Sequence, residues 1–201
     1  MDYVPKKLIV YISIYICVFS FIIINRPISA EKPITFSSEN VNLNKQLDVE
    51  TFIQEYESES IEICSNSSIK TYMDYKAITN TKSKQYKYIK NNMIVDSTTG
   101  LLKHKENKDI IGIALGSYFG PIGSMYEFTL SSGKVLKVVK VEAKSDAHTY
   151  NGCYHRVDNS VLEFVIDTRK FKNYKGGKIL GNFGLYDEYA GNIVNIRKIS
   201  I

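Results

Sequence analysis

The hydrophobic pattern divides the chain into three stretches. Lys6 and Lys7 precede an uncharged, mostly apolar run from Leu8 to Ile24. As a helix those residues span about 25 Å, just enough to cross a hydrocarbon core when flanking residues help. Positive charge ahead of the run predicts a cytoplasmic amino terminus and an extracytoplasmic remainder. Ile28-Ser29-Ala30 offers a cleavage point after Ala30. However, the run exceeds the roughly 7–15 residues of a signal h-region, and Ile28 rather than a small residue stands three places before the cut. Residues 1–30 therefore read as a signal anchor or signal peptide. The protein is expected in the cell membrane as a single-pass chain held in the cytoplasmic membrane through residues 8–24, or secreted if cut after Ala30.

Residues 31–69 read as a spacer. Ser37-Ser38-Glu39-Asn40 and Ser65-Asn66-Ser67-Ser68 are coil chemistry. Between them Val49, Phe52, Ile53 and Tyr56 recur at helical spacing behind Asp48, which predicts a short capped helix. From residue 70 the pattern turns to strands. Thr71–Ile78 alternates, and Ile110–Leu115 is a short apolar run closed by Gly116. Ser124–Leu130 and Lys134–Glu142 flank Ser131-Ser132-Gly133 as a hairpin. Val161–Ile166 and Asn192–Ile199 supply two more strands, and Phe171–Tyr174 and Tyr186–Tyr189 a helical turn each. Short strands with turn signals predict a mainly β domain over residues 70–201, a small barrel or sandwich; the preferred reading is a six-stranded barrel, which disposes of its edges by closing. The predicted whole is that barrel preceded by an N-terminal transmembrane helix and an acidic stalk.

Charge sharpens the division. Residues 31–63 carry eight acids against Lys32 and Lys45, whereas residues 70–201 carry 21 basic and 12 acidic side chains. A basic domain behind an acidic stalk suits an anionic partner: an anionic wall polymer, anionic lipid or nucleic acid. Tyr86, Tyr88, Tyr118 and Phe119 beside lysines would serve single-strand stacking, but export argues against nucleic acid. Three cysteines are too few for a disulfide scaffold and lack paired metal spacing. Export permits a Cys64–Cys153 disulfide, and the sequence leaves their proximity open.

No hydrolase, zincin or phosphate-loop motif occurs. His148 and His155, with Asp146 and Asp158 nearby, form a zinc-like set in what is more commonly a simple polar loop, and no metal or cofactor is assigned. Cys153 and His155 suggest a nucleophile and base, but no orienting group or oxyanion hole accompanies them. The acids say more. Glu142 ends one strand, Asp146 follows in the loop, and Asp167 ends the next apolar strand. Brought together on one barrel rim, such carboxyls shift each other's pKa, and a protonated one can cleave a glycosidic bond. Acids at strand ends also commonly just face water or cap turns.

Gly120-Pro121-Ile122-Gly123-Ser124, Val138-Val139-Lys140-Val141-Glu142 and Val165-Ile166-Asp167 carry a resemblance. With Tyr72–Thr79 as an opening strand, they resemble the double-psi β-barrel group. That group includes the 3D (three-aspartate) domain, the rare lipoprotein A type domain and the membrane-bound lytic transglycosylase A domain. The likeness covers roughly residues 70–168. The first acid of the group is an Asp before a Gly-containing turn, whereas this chain has Glu142-Ala143-Lys144-Ser145-Asp146. Glu142-x-Lys144-x-Asp146-x-His148-Thr149 is also similar to an uncharacterised variety of exported or phage-associated protein of low-GC Gram-positive bacteria. The resemblance implies action on peptidoglycan glycan strands, with Asp167 as general acid/base helped by Glu142 or Asp146. Tyr118 and Phe119 would stack sugars, and Lys140, Lys144, His148 and Arg156 would face the polymer. The alternative is a non-catalytic module that binds wall polymer or protein.

Overall fold

A computed structural model describes residues 58–200. The apolar run at 8–24, the cleavage point and the helix expected near residues 48–56 lie outside the described residues. Among the described residues no helix is long and apolar enough to cross a membrane.

The domain is mainly β. Strands β1 (Ser58–Ser60), β2 (Thr71–Asp74), β3 (Met93–Val95), β4 (Leu102–His104), β5 (Ile111–Leu115), β6 (Met125–Leu130), β7 (Val135–Ala143), β10 (Glu163–Ile166) and β11 (Ile193–Ile199) form one mixed sheet. Its order is β1-β11-β6-β7-β5-β10-β2, with β4 joining β5 and β3 joining β4. Strands β8 (Thr149–Tyr150) and β9 (Tyr154–His155) make a separate hairpin. The expected six-stranded closed barrel is not formed: among the described residues nine strands share the sheet, and no pairing joins β1 to β2. Two of its contacts, β5 with β7 and β2 with β10, are parallel. Residues ahead of the boundary expected at residue 70 take part in the sheet and core. β1 pairs with β11, and Ile61, Ile63 and Cys64 pack on the core, so the end of the expected spacer belongs to the domain.

Period-two alternation explains both faces. Tyr126, Phe128 and Leu130 of β6, with Leu136 and Val138 of β7, point to one side with Ile113, Phe164 and Ile166. That side is closed by helix α2 (Thr168–Tyr174) and the 3-10 turns at Phe183–Leu185 and Asp187–Tyr189. Phe171 stacks on Phe183 at 4.7 Å, and Phe164 meets Tyr189 at 4.6 Å. The other side collects Ala114, Val139, Val141 and Val165 with Met93 and Leu102. It is covered by helix α1 (Lys84–Asn92) through Tyr88 and Ile89. The Ser83 hydroxyl caps α1 by accepting from the Tyr86 N–H at 3.1 Å.

Lys70 is wholly buried, and its ammonium donates to the carbonyls of Ser68 and Gly191 at 3.2 and 2.7 Å. With carbonyl dipoles in place of a carboxylate, burial pushes its pKa from 10.5 down to about 8. The unfolded chain keeps that proton up to its ordinary pKa, so it binds more protons than the folded state above pH 8. Stability therefore rises with pH in that window and falls as pH drops through 8. Urea unfolding is expected to show a gain of about 2 kcal/mol between pH 8 and pH 10. The slope should flatten in Lys70→Met; an undiminished slope in that variant would remove Lys70 as its source.

Candidate functional site

One end of the sheet gathers the finishing ends of β5 and β7 and the starting ends of β10 and β2. The register there is specific. Glu142 of β7 lies beside Ala114 of β5, Ala114 beside Glu163 of β10, and Glu163 beside Thr71 of β2. Directly opposed residues share a face, so the four form one row across the α1-covered side. Alternation alone would send Glu142 the other way, with Val138 and Lys140. A bulge corrects this: Ile113 pairs with Lys140 and Ala114 with Glu142, leaving Val141 as the extra residue. Bulges re-aim side chains in this manner. Glu142 and Glu163 thus stand two strand spacings apart, about 9.5 Å between backbones, on either side of the buried Ala114.

Two hollows at this end share Lys144; the first takes in Thr71 and Glu163 of the row, and Glu142 lines neither. A cleft of about 250 Å³ is lined by Thr71, Lys144, His148, His155, Asp158 and Glu163. A second, of about 380 Å³, includes Gln85, Ser117, Lys140, Lys144 and Asp146. The walls are loops fixed by three devices. The Lys140 ammonium donates to the carbonyls of Gly116 and Gly120 at 2.7 and 2.6 Å. Gly116 passes so close to Gly152 that a Cβ there would overlap the Gly152 carbonyl, and the Tyr118 N–H donates to that carbonyl at 3.1 Å. Finally, Cys64 and Cys153 form a disulfide, their Cα atoms 6.4 Å apart, tying the chain before β2 to the β8–β9 hairpin. With the cysteines separated by 89 positions in sequence, loop closure accounts for about 4–5 kcal/mol in the chain-entropy view. Cys153 is therefore no nucleophile.

The ionisable groups divide by what they touch. Asp96, Glu127, Asp158 and Asp167 each have an ion-pair partner. Asp74 accepts from the Lys76 N–H at 2.8 Å and from Thr168. Glu142 and Glu163, both half-buried, have no ion-pair partner among the described residues. Burial pushes the Glu142 carboxyl up; the Ala143 N–H and Gln85 partly offset this, and the nearby Glu163 charge adds to it. Burial pushes the Lys144 ammonium down, against the pull of Glu163 and Asp158. His155 Nδ1 lies 3.2 Å from Asp158. Burial would raise the Asp158 carboxyl, but the Ser160 N–H and His155 outweigh it and hold the pKa low.

Several expected site residues are used otherwise. Asp167 sits four residues beyond Glu163, about 13 Å along β10 and two strands across from Glu142. Paired-carboxylate chemistry works within roughly 10 Å, so Asp167 pairs with neither rim acid in that way. Its carboxylate caps α2 by accepting from the Lys170 N–H at 3.0 Å and pairs with Lys76 at 2.9 Å. Burial alone would raise its pKa, but these donors hold it below the ordinary range, the wrong direction for a general acid. Phe119 and Lys140 are core residues, 1% and 2% exposed, and present nothing to a polymer. Tyr118 is exposed, and its hydroxyl donates to the Glu62 carbonyl at 3.1 Å. Asp146 is exposed and accepts from the Ser117 hydroxyl at 2.7 Å. Lys144 and His148 do line the cleft, whereas Arg156 lies over the Tyr150 ring at 6.0 Å. Among the described residues no three His, Cys, Asp or Glu side chains are grouped to hold a metal ion.

Sequence reasoning missed Glu163 and Gln85, and named Asp158 only as a neighbour in the zinc-like set of His148 and His155. Glu163 stood out only as the single charge within Val161–Ile166, and its neighbour Glu142 follows from a bulge that no spacing reveals. No family model and no curated protein matches this chain. Asp167→Ala is expected to lower unfolding stability by about 1–2 kcal/mol, the cost of a lost N-cap. A urea titration checks this, and a loss below about 0.5 kcal/mol, within the ordinary scatter of surface changes, would remove the capping role.

Proposed function

We propose that the domain cleaves glycosidic bonds of an anionic wall glycan, peptidoglycan above all, at the rim formed by Glu142, Glu163 and Lys144. The observation that supports this is the pairing of two half-buried, ion-pair-free carboxyls across Ala114. The flexible side chains allow the separation of about 6.5–9.5 Å used where one carboxyl protonates the leaving oxygen and another activates the attacking hydroxyl. Glu142, pushed up by burial, supplies the proton to the glycosidic oxygen. Glu163 accepts the proton of the attacking hydroxyl, whether from water or from the sugar. Lys144 and His148 in the adjoining cleft hold anionic or hydroxyl groups of the strand. Kinship with double-psi barrels of the lytic transglycosylase kind remains part of this reading, supported by the Gly120–Ser124 turn that leads into the β6–β7 hairpin.

A second reading, a non-catalytic module for wall polymer or protein, is favoured by the donors on two of the acids. Gln85 serves Glu142, and Ser117 serves Asp146. The full chain incubated with purified peptidoglycan separates the two, with soluble fragments read by mass spectrometry. Release is expected to fall at least about 100-fold in Glu142→Gln, the size of a general-acid contribution, and to persist in Asp167→Asn. Wild-type release should decline as pH rises through the elevated Glu142 pKa, because the donor then loses its proton. Co-sedimentation without release would leave only the module.

A further inference from the structure

Away from the rim, the stretch from Tyr75 to Val95 carries Lys76, Lys82, Lys84, Lys87 and Lys90 and no acid at all. On α1, Lys84, Lys87 and Lys90 are exposed and follow each other at three-residue steps. Each step turns back about 60°, so the three ammonium groups share one outward flank about 9 Å long. None of these three has an ion-pair partner among the described residues. The same helix borders a mainly apolar groove of about 470 Å³ whose walls include Tyr75, Ile78, Tyr86 and Ile89 besides two threonines; of the flank Lys90 lines it, and its other cation, Lys76, is paired with Asp167. Unmatched point charges flanking an apolar groove suit a molecule that is anionic at one end and hydrocarbon at the other. A hydrophilic phosphodiester polymer would satisfy the lysines and leave the groove unfilled.

We infer that α1 and its groove form a docking surface for an anionic phospholipid bilayer. The lysines engage headgroup phosphates, and the groove takes apolar chain at the headgroup boundary. This surface is separate from the glycan reading and stands whether or not the rim is catalytic.

The test is a footprint on the full chain reconstituted into vesicles. Lysines are acylated with a soluble ester reagent, and modification at each position is read by mass spectrometry. Vesicles rich in phosphatidylglycerol are compared with vesicles of phosphatidylcholine alone. Labelling of Lys84, Lys87 and Lys90 is expected to fall at least about threefold in the anionic vesicles, while Lys198 on β11 stays unchanged. In Lys87→Gln, protection of Lys84 and Lys90 should weaken, since the flank has lost a third of its charge. Equal labelling in the two lipids would overturn the inference. Equal protection by a soluble glycerol-phosphate polymer in place of vesicles would also overturn it, by assigning the flank to a phosphodiester polymer.

Discussion

The bulge that sets Val141 and Glu142 against the single step from Ile113 to Ala114 decides which acids share a face. Upstream of it, β7 alternates regularly, with Leu136 and Val138 to one core and Val139 to the other. Without the extra residue Glu142 would follow Lys140 toward the aromatic core, where a carboxylate has no place. With it, Val141 still fills the α1-side core, and Glu142 emerges beside it at the sheet's end. The antiparallel register of β10 then brings Glu163 level across Ala114, and carries Asp167 to the other end. One inserted residue thus selects Glu142 with Glu163 over Glu142 with Asp167.

Two interior lysines show how the loops around this row are fixed. Lys140 and Lys70 end on backbone carbonyls, not on carboxylates. Each ammonium replaces the water that strand-to-loop carbonyls would otherwise require, and each couples segments far apart in sequence. Lys140 draws the 116–120 turn onto β7, and Lys70 draws the approach to β2 onto Gly191. Burial lowers the pKa of both, Lys70 to about 8. Such lysines reduce the positive charge offered to a partner, so the basic total of the domain overstates its outward field. The disulfide acts at the same scale, fastening the hairpin that carries His155 to the chain ahead of β2.

Much of the strand framework was legible because its signals are local. The β6–β7 hairpin follows from alternation around Ser131-Ser132-Gly133, and Val161–Ile166 and Asn192–Ile199 contain strands where apolar runs stop at polar residues. The helical turns near Phe171 and Tyr186 were likewise readable. Helix α1 was missed although Ser83 is a sound cap, because four lysines between residues 82 and 90 masked the contribution of Tyr88 and Ile89 to the core. Barrel closure, by contrast, is not found among the described residues. Short strands imply many edges, and alternation is silent on whether those edges meet. Within the site, Lys144 and His148 were legible as polar loop residues, and Glu142 as a strand-end acid. Glu163 and the displacement of Asp167 were not, since both depend on pairing between strands distant in sequence. Lys140 and Phe119 misled for a related reason: residue type suggested a surface role, and tertiary packing buried them.

Two groups of charges without an ion-pair partner stand out among the described residues. Acids at Asp96, Glu127, Asp158 and Asp167 are consumed by cations, and Asp74 by Thr168 and a backbone N–H. Glu62, Glu106, Asp109, Asp146 and Asp187 have no ion-pair partner among the described residues but are exposed, whereas Glu142 and Glu163 are half-buried without one. On the basic side, α1 keeps a flank of lysines with no acid between residues 75 and 95. An unpaired half-buried carboxylate costs free energy, whereas solvated lysines cost almost none. The lysine flank is thus compatible with folding alone and is distinguished by its apolar neighbour. The carboxylate row instead opposes folding, and a domain already held by one disulfide and two carbonyl-bound lysines has the stability to tolerate it. That asymmetry sets the rim apart from the lysine flank: the carboxylates are held against a desolvation cost that solvated lysines do not carry.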